Sequence, residues 1–292
     1  MGICVEGNVL EELLGLLKLE KIEENIYRGQ SQDLGFGNVF GGQVLGQSLS
    51  AASRTVSQGL TAHSLHGYFM RAGDASLPIV YTVDRLRDGR SFATRQVKAV
   101  QNGLAIFSMA ASFHRGEAGF SHQDPMPAVE GPEGIESERE MVKRLADSIP
   151  GGIREKLLCK KPIELRLVNP VNPFDPKPMP PVKYIWFRAI GKLPEDAAIH
   201  RYMLAYASDF HLVSTALYPH GKTFWSPDMR VASLDHAIWF HRDFRMDDWL
   251  LHVTRSPSAE GGRGLNFGAI YTRDGTLVAS VGQEGMLRVD KG

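Results

Sequence analysis

HSLHGYFMR, residues 63–71, is answered near the end of the chain by SLDHAIWFHR, residues 233–242. His66 matches His236 at an offset of 170 residues, and Phe69 matches Phe240 at 171. The repeat continues at an offset of 172, where LAIFSMAASF (104–113) matches TLVASVGQEG (276–285). Self-similarity of this kind is typical of a duplicated structural unit. The chain is therefore predicted to contain two copies of one fold.

Turn signals predict antiparallel strands in both copies. Asn102-Gly103 and Asp274-Gly275 each lie between two runs of alternating apolar residues. Such pairs favour the two-residue turn of a β-hairpin, because both central residues of a type I′ turn need a positive φ. The expected strands are 64–71, 78–86, 92–101 and 104–114 in the first copy and 233–243, 250–256, 263–272 and 276–288 in the second.

A helical pattern precedes each predicted sheet. Residues 42–53 and 197–217 carry apolar and small side chains at helical spacing,. Antiparallel sheets with helices on one face belong to the α+β class. Pro-rich sequence, with a short helical stretch, separates the two copies. We therefore predict an N-terminal unit at 1–115, a linker or crossover at 116–182 and a C-terminal unit at 183–292.

Composition argues against several functional classes. The 292 residues contain 33 Lys and Arg against 33 Asp and Glu, so the net charge is zero and a nucleic-acid partner is not expected. No apolar run approaches the ~18 residues of a membrane span, and the acidic N-terminus does not resemble a secretory signal. Cys4 and Cys159 are too few for a disulfide framework or a thiolate metal site, which favours a reducing, cytoplasmic setting,.

Three familiar motif classes are weak or absent. Residues 216–223 satisfy a relaxed phosphate-loop pattern, but a helical run precedes them and Pro219 lies inside, whereas that loop needs a strand before it and a helix after it. A G-x-S-x-G nucleophile elbow is absent,. The ten His residues lack the spacing of a metal site,. We therefore expect no metal and no cofactor.

Asp209 is the first candidate functional residue. Within the predicted helix 197–217, its neighbours three and four positions away are all apolar, which puts the carboxylate on the face that meets the sheet. Burial raises the pKa of a carboxyl group toward the range of a general base. A helix bend, or an ion pair with an arginine such as Arg242, explains the same pattern. From these residues alone, both roles stay open.

Two polar residues distinguish the second copy from the first. Gln283 lies in a strand of small and apolar residues where its repeat partner is Ala111. Ser233 stands where the first copy has His63 at an offset of 170. Ordinary divergence of a duplicated unit is the alternative explanation for both.

The chain resembles the type II acyl-CoA thioesterases, TesB-like proteins with a double hotdog fold, in which two copies of a long helix are each wrapped by an antiparallel sheet. The resemblance covers nearly the whole chain, and its segments are specific as a set. They are YRGQSQDLGFGNVFGGQVLGQSL (27–49), HSLHGYFMRAGD (63–74), LRDGRSFATRQVKAVQNG (86–103), YASDF (206–210), ASLDHAIWFHRDF (232–244) and QEGMLR (283–288).

The resemblance implies hydrolysis of fatty acyl-CoA thioesters to free acid and CoA, by an activated water and without a covalent intermediate. The family's Asp falls on Asp209 and its Gln on Gln283, while its hydroxyl residue, Thr in many members, falls on Ser233. Asp209 would take the proton of the water, and the other two residues would orient it. An acyl-CoA substrate and a homo-oligomer, dimer or tetramer, are implied in the same way.

Two other functions compete with hydrolysis. A non-catalytic acyl-CoA-binding hotdog protein would keep the fold without turnover, although the intact Asp209, Ser233 and Gln283 argue against it. A hotdog hydratase would need a His–Asp acid/base pair, and neither His63 nor His236 lies in a recognisable pattern of that kind.

The rest of the substrate needs further contacts. The acyl chain is expected between helix and sheet, and backbone N–H groups near Gly41-Gly42 are candidates for holding the oxyanion. His63 is a candidate auxiliary polar residue. The CoA phosphates need surface cations, for which Arg90, Arg95 and Lys98 are candidates.

Overall fold

One antiparallel sheet runs through both copies of the repeat. The computed structural model describes residues 8–146, 149 and 151–290. Its strands are β1 (Glu20–Glu23), β2 (Ile26–Gly29), β3 (Thr61–Phe69), β4 (Ile79–Asp88), β5 (Phe92–Gln101), β6 (Leu104–His114), β7 (Ile163–Leu167), β8 (Val182–Ala189), β9 (Met229–Ser233), β10 (Asp235–Phe240), β11 (Leu250–Glu260), β12 (Arg263–Thr272) and β13 (Leu277–Val289).

The strand order shows how the copies join. Neighbouring strands follow the order β1-β2-β4-β5-β6-β3-β10-β13-β12-β11-β8-β7, and β9 pairs with β13. The central contact is β3 with β10, in which Leu65 lies opposite Ile238. The two segments that open the repeat are therefore neighbours in space, and the sheet continues across the junction.

Helices lie between these strands along the chain. They are α1 (Val9–Leu17), α2 (Gly41–Ser53), α3 (Glu138–Arg144), α4 (Gly151–Leu158) and α5 (Ala197–Ala207), with 3-10 helices at Pro132–Gly134 and Val213–His220. The main hydrophobic core lies between α2, α5 and the sheet, and includes Leu45, Leu49 and Leu204. No helix in the described ranges is long and apolar enough to cross a membrane. This arrangement is the predicted α+β class.

The close approach of α2 to α5 depends on a glycine. A Cβ atom on Gly42 would lie 2.1 Å from the backbone oxygen of Tyr206, well inside van der Waals contact. Only a residue without a side chain lets the start of α2 meet the end of α5. This contact brings the candidate Asp209 beside the N-terminus of α2.

The predicted hairpin turns differ from each other. Asn102 and Gly103 both have positive φ, 49° and 75°, as the predicted type I′ turn requires. At the second turn Gly275 has φ 89° and Asp274 does not share a positive φ, so the type I′ prediction is wrong there. The Thr272 N–H donates to the Thr276 carbonyl to close that turn.

Several strands lie outside the predicted ranges. β1, β2 and β7 have only four or five residues each, too short for a periodic signal. β8 forms where the sequence reads VKYIWFRA (182–189), a nearly continuous apolar run without alternation. The predicted strand 233–243 is divided at Leu234 into β9 and β10, because Ser233 and Asp235 lie on either side of a break in the ladder.

Candidate active site

Asp209 lies in a sharp turn rather than in a helix. The prediction of one helix over 197–217 is wrong, since α5 ends at Ala207 and Ser208 is its C-cap. The Ser208 hydroxyl donates to the Ala205 carbonyl at 3.1 Å. Two residues after Asp209, His211 has φ 62°, a left-handed conformation that no helix continues through. The carboxylate is nevertheless buried, by the turn and not by a helical stripe.

The Asp209 carboxylate lies at the N-terminus of α2. Its side chain is 7% exposed, and it accepts a hydrogen bond from the backbone N–H of Gly42. Phe40, the N-cap of α2, provides no side-chain cap, so a carboxylate from the other copy takes that role. The helix dipole favours negative charge at this place. Because the Gly42 N–H is engaged by Asp209, it is not a free oxyanion donor.

The alternative explanation of Asp209, an ion pair with Arg242, does not hold. The Arg242 guanidinium donates to the Leu277 carbonyl at 2.8 Å and reaches the hydroxyl of Ser121. Without a cation beside it, burial raises the pKa of Asp209, although hydrogen bonds from Gln283 and the Gly42 N–H oppose that shift. A raised pKa makes the carboxylate a better proton acceptor near neutral pH.

Gln283 and Ser233 meet Asp209 from two strands. The Gln283 Nε2, on β13, donates to Asp209 Oδ1 at 2.7 Å and lies 3.1 Å from the Ser233 Oγ on β9. Gln283 is 1% exposed and Ser233 is half-buried. The side chains of Asp209 and Ser233, far apart in sequence, thus both lie within hydrogen-bond distance of the Gln283 Nε2.

His236 is the member of this site that sequence analysis did not select. Its Nδ1 lies 3.1 Å from the Gln283 Nε2, and its Nε2 lies 3.0 Å from the Ser208 Oγ. The side chain is fully buried, and burial lowers its pKa to about 3. The sequence signal for His236 was its position three residues after Ser233. The break in the strand at Leu234, which lies between them, was not predicted by any sequence pattern.

Aromatic side chains form an apolar wall beside the carboxylate. Phe40 stacks on Phe210 with ring centroids 4.6 Å apart, and Tyr206 meets both rings edge-on. A Cβ on Gly41 would lie 2.7 Å from the Asp209 Oδ2 and 3.0 Å from the Phe69 ring. Polar atoms and an apolar surface therefore adjoin at the start of α2.

Strand register shows that the first copy has no equivalent of this site. Gln283 lies opposite Asn266, as Ala111 lies opposite Arg95. The predicted match of Ser233 to His63 is wrong, because Ser233 faces Gly285 whereas His63 is skipped in the ladder between Ala62 and Ser64. By register the counterparts of Ser233, His236 and Gln283 are Ala62, Leu65 and Ala111.

Other candidate residues lie away from this centre. His63 forms a hydrogen bond with the Ser112 Oγ at 2.8 Å. The β3–β10 register places His63 near the C-terminal end of β10, whereas Ser233 precedes the N-terminal end of that strand. Arg95 is 1% exposed and is bound to Thr55 and Asp88, so its proposal as a CoA contact is wrong. Arg90 and Lys98 are exposed.

The residues that match the phosphate-loop pattern make structural contacts. Its first residues lie in the 3-10 helix Val213–His220. The Lys222 Nζ pairs with Asp228 at 2.6 Å, and the Thr223 hydroxyl donates to the Pro173 carbonyl. In the described part of the chain, no group of three or more His, Cys, Asp or Glu residues is arranged to hold a metal ion.

Known proteins are similar to this chain over nearly its whole length. A family model described as acyl-CoA thioesterase matches residues 153–286, and one described as the acyl-CoA thioesterase N-terminal domain matches residues 30–114. Acyl-CoA thioesterase 2 of Haemophilus influenzae is 46% identical over 97% of this chain and 99% of its own length. The chain belongs to the acyl-CoA thioesterase family.

Solved structures agree with this membership in the acyl-CoA thioesterase family. The crystal structure of acyl-CoA thioesterase II TesB2 from Mycobacterium marinum is 42% identical, has a TM-score of 0.78 and covers 96% of this chain and 99% of its own. A hot dog fold protein of Alicyclobacillus acidocaldarius, 18% identical, matches with a TM-score of 0.77 over 95% of this chain and 98% of its own. The resemblance to TesB-like type II thioesterases and the double hotdog fold are confirmed.

Proposed function

We propose that this acyl-CoA thioesterase family member hydrolyses fatty acyl-CoA through a water held by Asp209, Ser233 and Gln283. The convergence of these three side chains beside the N-terminus of α2 supports the proposal most directly. The related Haemophilus influenzae protein carries the name of this activity.

The proposed reaction needs one attacking water and one proton acceptor. The water oxygen bonds to the thioester carbonyl carbon, and Asp209 accepts a proton from that water. The Ser233 hydroxyl and the Gln283 amide fix the position of the water. The tetrahedral intermediate then collapses, the C–S bond breaks, and the thiolate leaves with the electron pair. Asp209 returns its proton to the sulfur, which gives free acid and CoA without a covalent intermediate.

The aromatic wall is the proposed contact for the start of the acyl chain. Phe40 and Phe210 are partly buried and stack together beside Asp209. An alkyl chain laid against them would leave water, and each CH₂ removed from water is worth about 0.8 kcal/mol. The exposed Arg90 and Lys98 stay candidates for the CoA phosphates.

Thiol release from acyl-CoA of graded chain length tests the proposed activity. The purified protein is mixed with each acyl-CoA, and free thiol is followed with a colorimetric reagent. Release that saturates with substrate supports hydrolysis. Tight acyl-CoA binding without released thiol would instead establish the non-catalytic binding protein.

Ser233→Ala and Ser233→Thr separate the hydroxyl from the side-chain volume. Ser233→Ala removes the oxygen 3.1 Å from Gln283 and is expected to lower kcat by about 10- to 100-fold, because the water loses one orienting partner. Ser233→Thr keeps the hydroxyl and should stay within about threefold of wild type. Equal rates for Ser233→Ala and wild type would remove Ser233 from the mechanism. Thiol-release kinetics measure both.

The acid side of the pH–rate profile should belong to Asp209. The ionised carboxylate is the active form, so kcat/KM falls as pH drops through its pKa, which burial raises above the ordinary 3.8. His236, whose pKa is about 3, stays neutral and adds no titration near neutral pH. Gln283→Ala removes a hydrogen bond that favours the carboxylate, so its acid limb should move to higher pH. A limb unchanged in that variant would contradict the assignment.

Four wider features also stand as proposals. We place the protein in the cytoplasm as a homo-oligomer, dimer or tetramer, with a role in fatty acid and lipid metabolism. We divide it into an N-terminal hotdog unit at 1–115, a crossover at 116–182 and a C-terminal unit at 183–292. Cell fractionation tests the cytoplasmic location, and light scattering tests the oligomeric state.

A further inference from the structure

His236 connects the end of α5 to the candidate catalytic amide. The Ser208 hydroxyl, itself fully buried, donates to the Ala205 carbonyl. Its oxygen is therefore the acceptor in the 3.0 Å contact with the His236 Nε2, and that nitrogen carries the proton of the neutral ring. The His236 Nδ1 is left with a lone pair.

That lone pair faces the Gln283 amide. The His236 Nδ1 lies 3.1 Å from the Gln283 Nε2, so it accepts an amide proton. A Gln283 amide turned by 180° would point its oxygen at two acceptors, the Nδ1 and the Asp209 carboxylate. When Asp209 takes up a proton in the reaction, the carboxylate no longer opposes the turn, because a protonated acid can donate to the amide oxygen. The His236 lone pair still opposes it then.

We propose that His236 is a positioning residue: by accepting one Gln283 N–H it keeps the other N–H directed at Asp209 throughout turnover, with the Ser233 Oγ 3.1 Å from the same nitrogen. Ser208 fixes the tautomer on which this depends. The inference rests on the proposed function of Gln283. It gives a role to a buried, neutral ring whose Nδ1 lies 3.8 Å from the Asp209 Oδ1, beyond hydrogen-bond distance.

A double-mutant cycle tests the proposal. His236→Leu fills the space of the ring without an acceptor and is expected to lower kcat by roughly 10- to 50-fold, with KM little changed. Because the turned amide stabilises protonated Asp209, the acid limb of kcat should also move to higher pH. In a Gln283→Ala background, the same substitution should cost less than about twofold, since residues that act as one unit are not additive. Losses that multiply would overturn the proposal.

Two variants separate positioning from general stability. His236→Asn keeps an oxygen acceptor at the place of the Nδ1 and should recover most of the lost kcat. His200→Leu removes another buried ring, whose Nδ1 accepts from the Met246 N–H at the far end of α5. It should lower thermal stability without moving the acid limb. A His200→Leu acid limb that moves as far as that of His236→Leu would contradict the proposal.

A spectroscopic readout is independent of turnover. The Gln283 side-chain NH₂ signals, assigned by their loss in Gln283→Ala, should be sharp and protected from exchange in wild type and in His236→Asn. In His236→Leu they should broaden or shift, because the amide samples two orientations. Unchanged signals would overturn the positioning role, whereas an inactive wild type with this NMR pattern would overturn only the proposed function.

Discussion

Asp209→Asn is expected to lower kcat/KM for acyl-CoA hydrolysis by about 10³-fold, the range that loss of a general base produces. The amide has nearly the shape of the carboxylate and keeps an oxygen for the N-terminus of α2, but it cannot accept the proton of water. Burial penalises the charged form of Asp209, but the amide NH₂ cannot accept from both Gln283 and the Gly42 N–H, so the free energy of unfolding should fall by about 1–2 kcal/mol and leave the protein folded. Thiol release and urea denaturation measure the two effects.

Asp196→Asn is the matched control for this substitution. Asp196 is the exposed N-cap of α5, where its carboxylate accepts from the Ala198 N–H at 2.9 Å. Asn is an equally good N-cap residue. The same Asp-to-Asn change at the start of α5 should therefore leave hydrolysis at the wild-type rate. If Asp209→Asn also kept that rate while folded, the general-base mechanism would be wrong.

The residues of the candidate site could be proposed from the sequence, but their geometry could not. The burial of Asp209 was inferred from a continuous helix, yet the chain leaves the helix at Ser208 and turns at His211. The carboxylate is buried because it caps α2 of the other copy. That contact is long-range and depends on Gly42, and no local periodicity reports it. His236 was not selected for the same reason, since its partners lie on β13 and beyond α5.

The duplication explains why one copy alone bears the site. Register puts Ala62, Leu65 and Ala111 where the second copy has Ser233, His236 and Gln283. Arg95, the counterpart of Asn266, is bound instead to Thr55 and Asp88. The first copy nevertheless supplies the α2 N-terminus that Asp209 caps. The site therefore needs both copies, the second for its side chains and the first for the helix end.

Gly42→Ala should damage stability and activity together. The new Cβ would lie 2.1 Å from the Tyr206 carbonyl oxygen and 2.5 Å from the Phe40 ring, and a backbone atom cannot rotate away as a side chain can. Although Ala favours a helix over Gly by about 1 kcal/mol, the forced separation of α2 and α5 should lower the free energy of unfolding by about 3 kcal/mol. Asp209, three residues beyond Tyr206, would move with it, so kcat should fall at least about tenfold.

Gly15→Ala shows the effect of the helix preference of Ala in the absence of a steric clash. Gly15 lies within α1, and a Cβ there would have no neighbour within 4 Å. This substitution should raise stability by about 0.5–1 kcal/mol and leave kcat unchanged. Urea denaturation of both variants gives the comparison, because the same Gly-to-Ala change acts in a helix each time and only the packing differs. If Gly42→Ala were as stable as Gly15→Ala, the start of α2 would not be held against α5 as described, and the burial of Asp209 would need another cause.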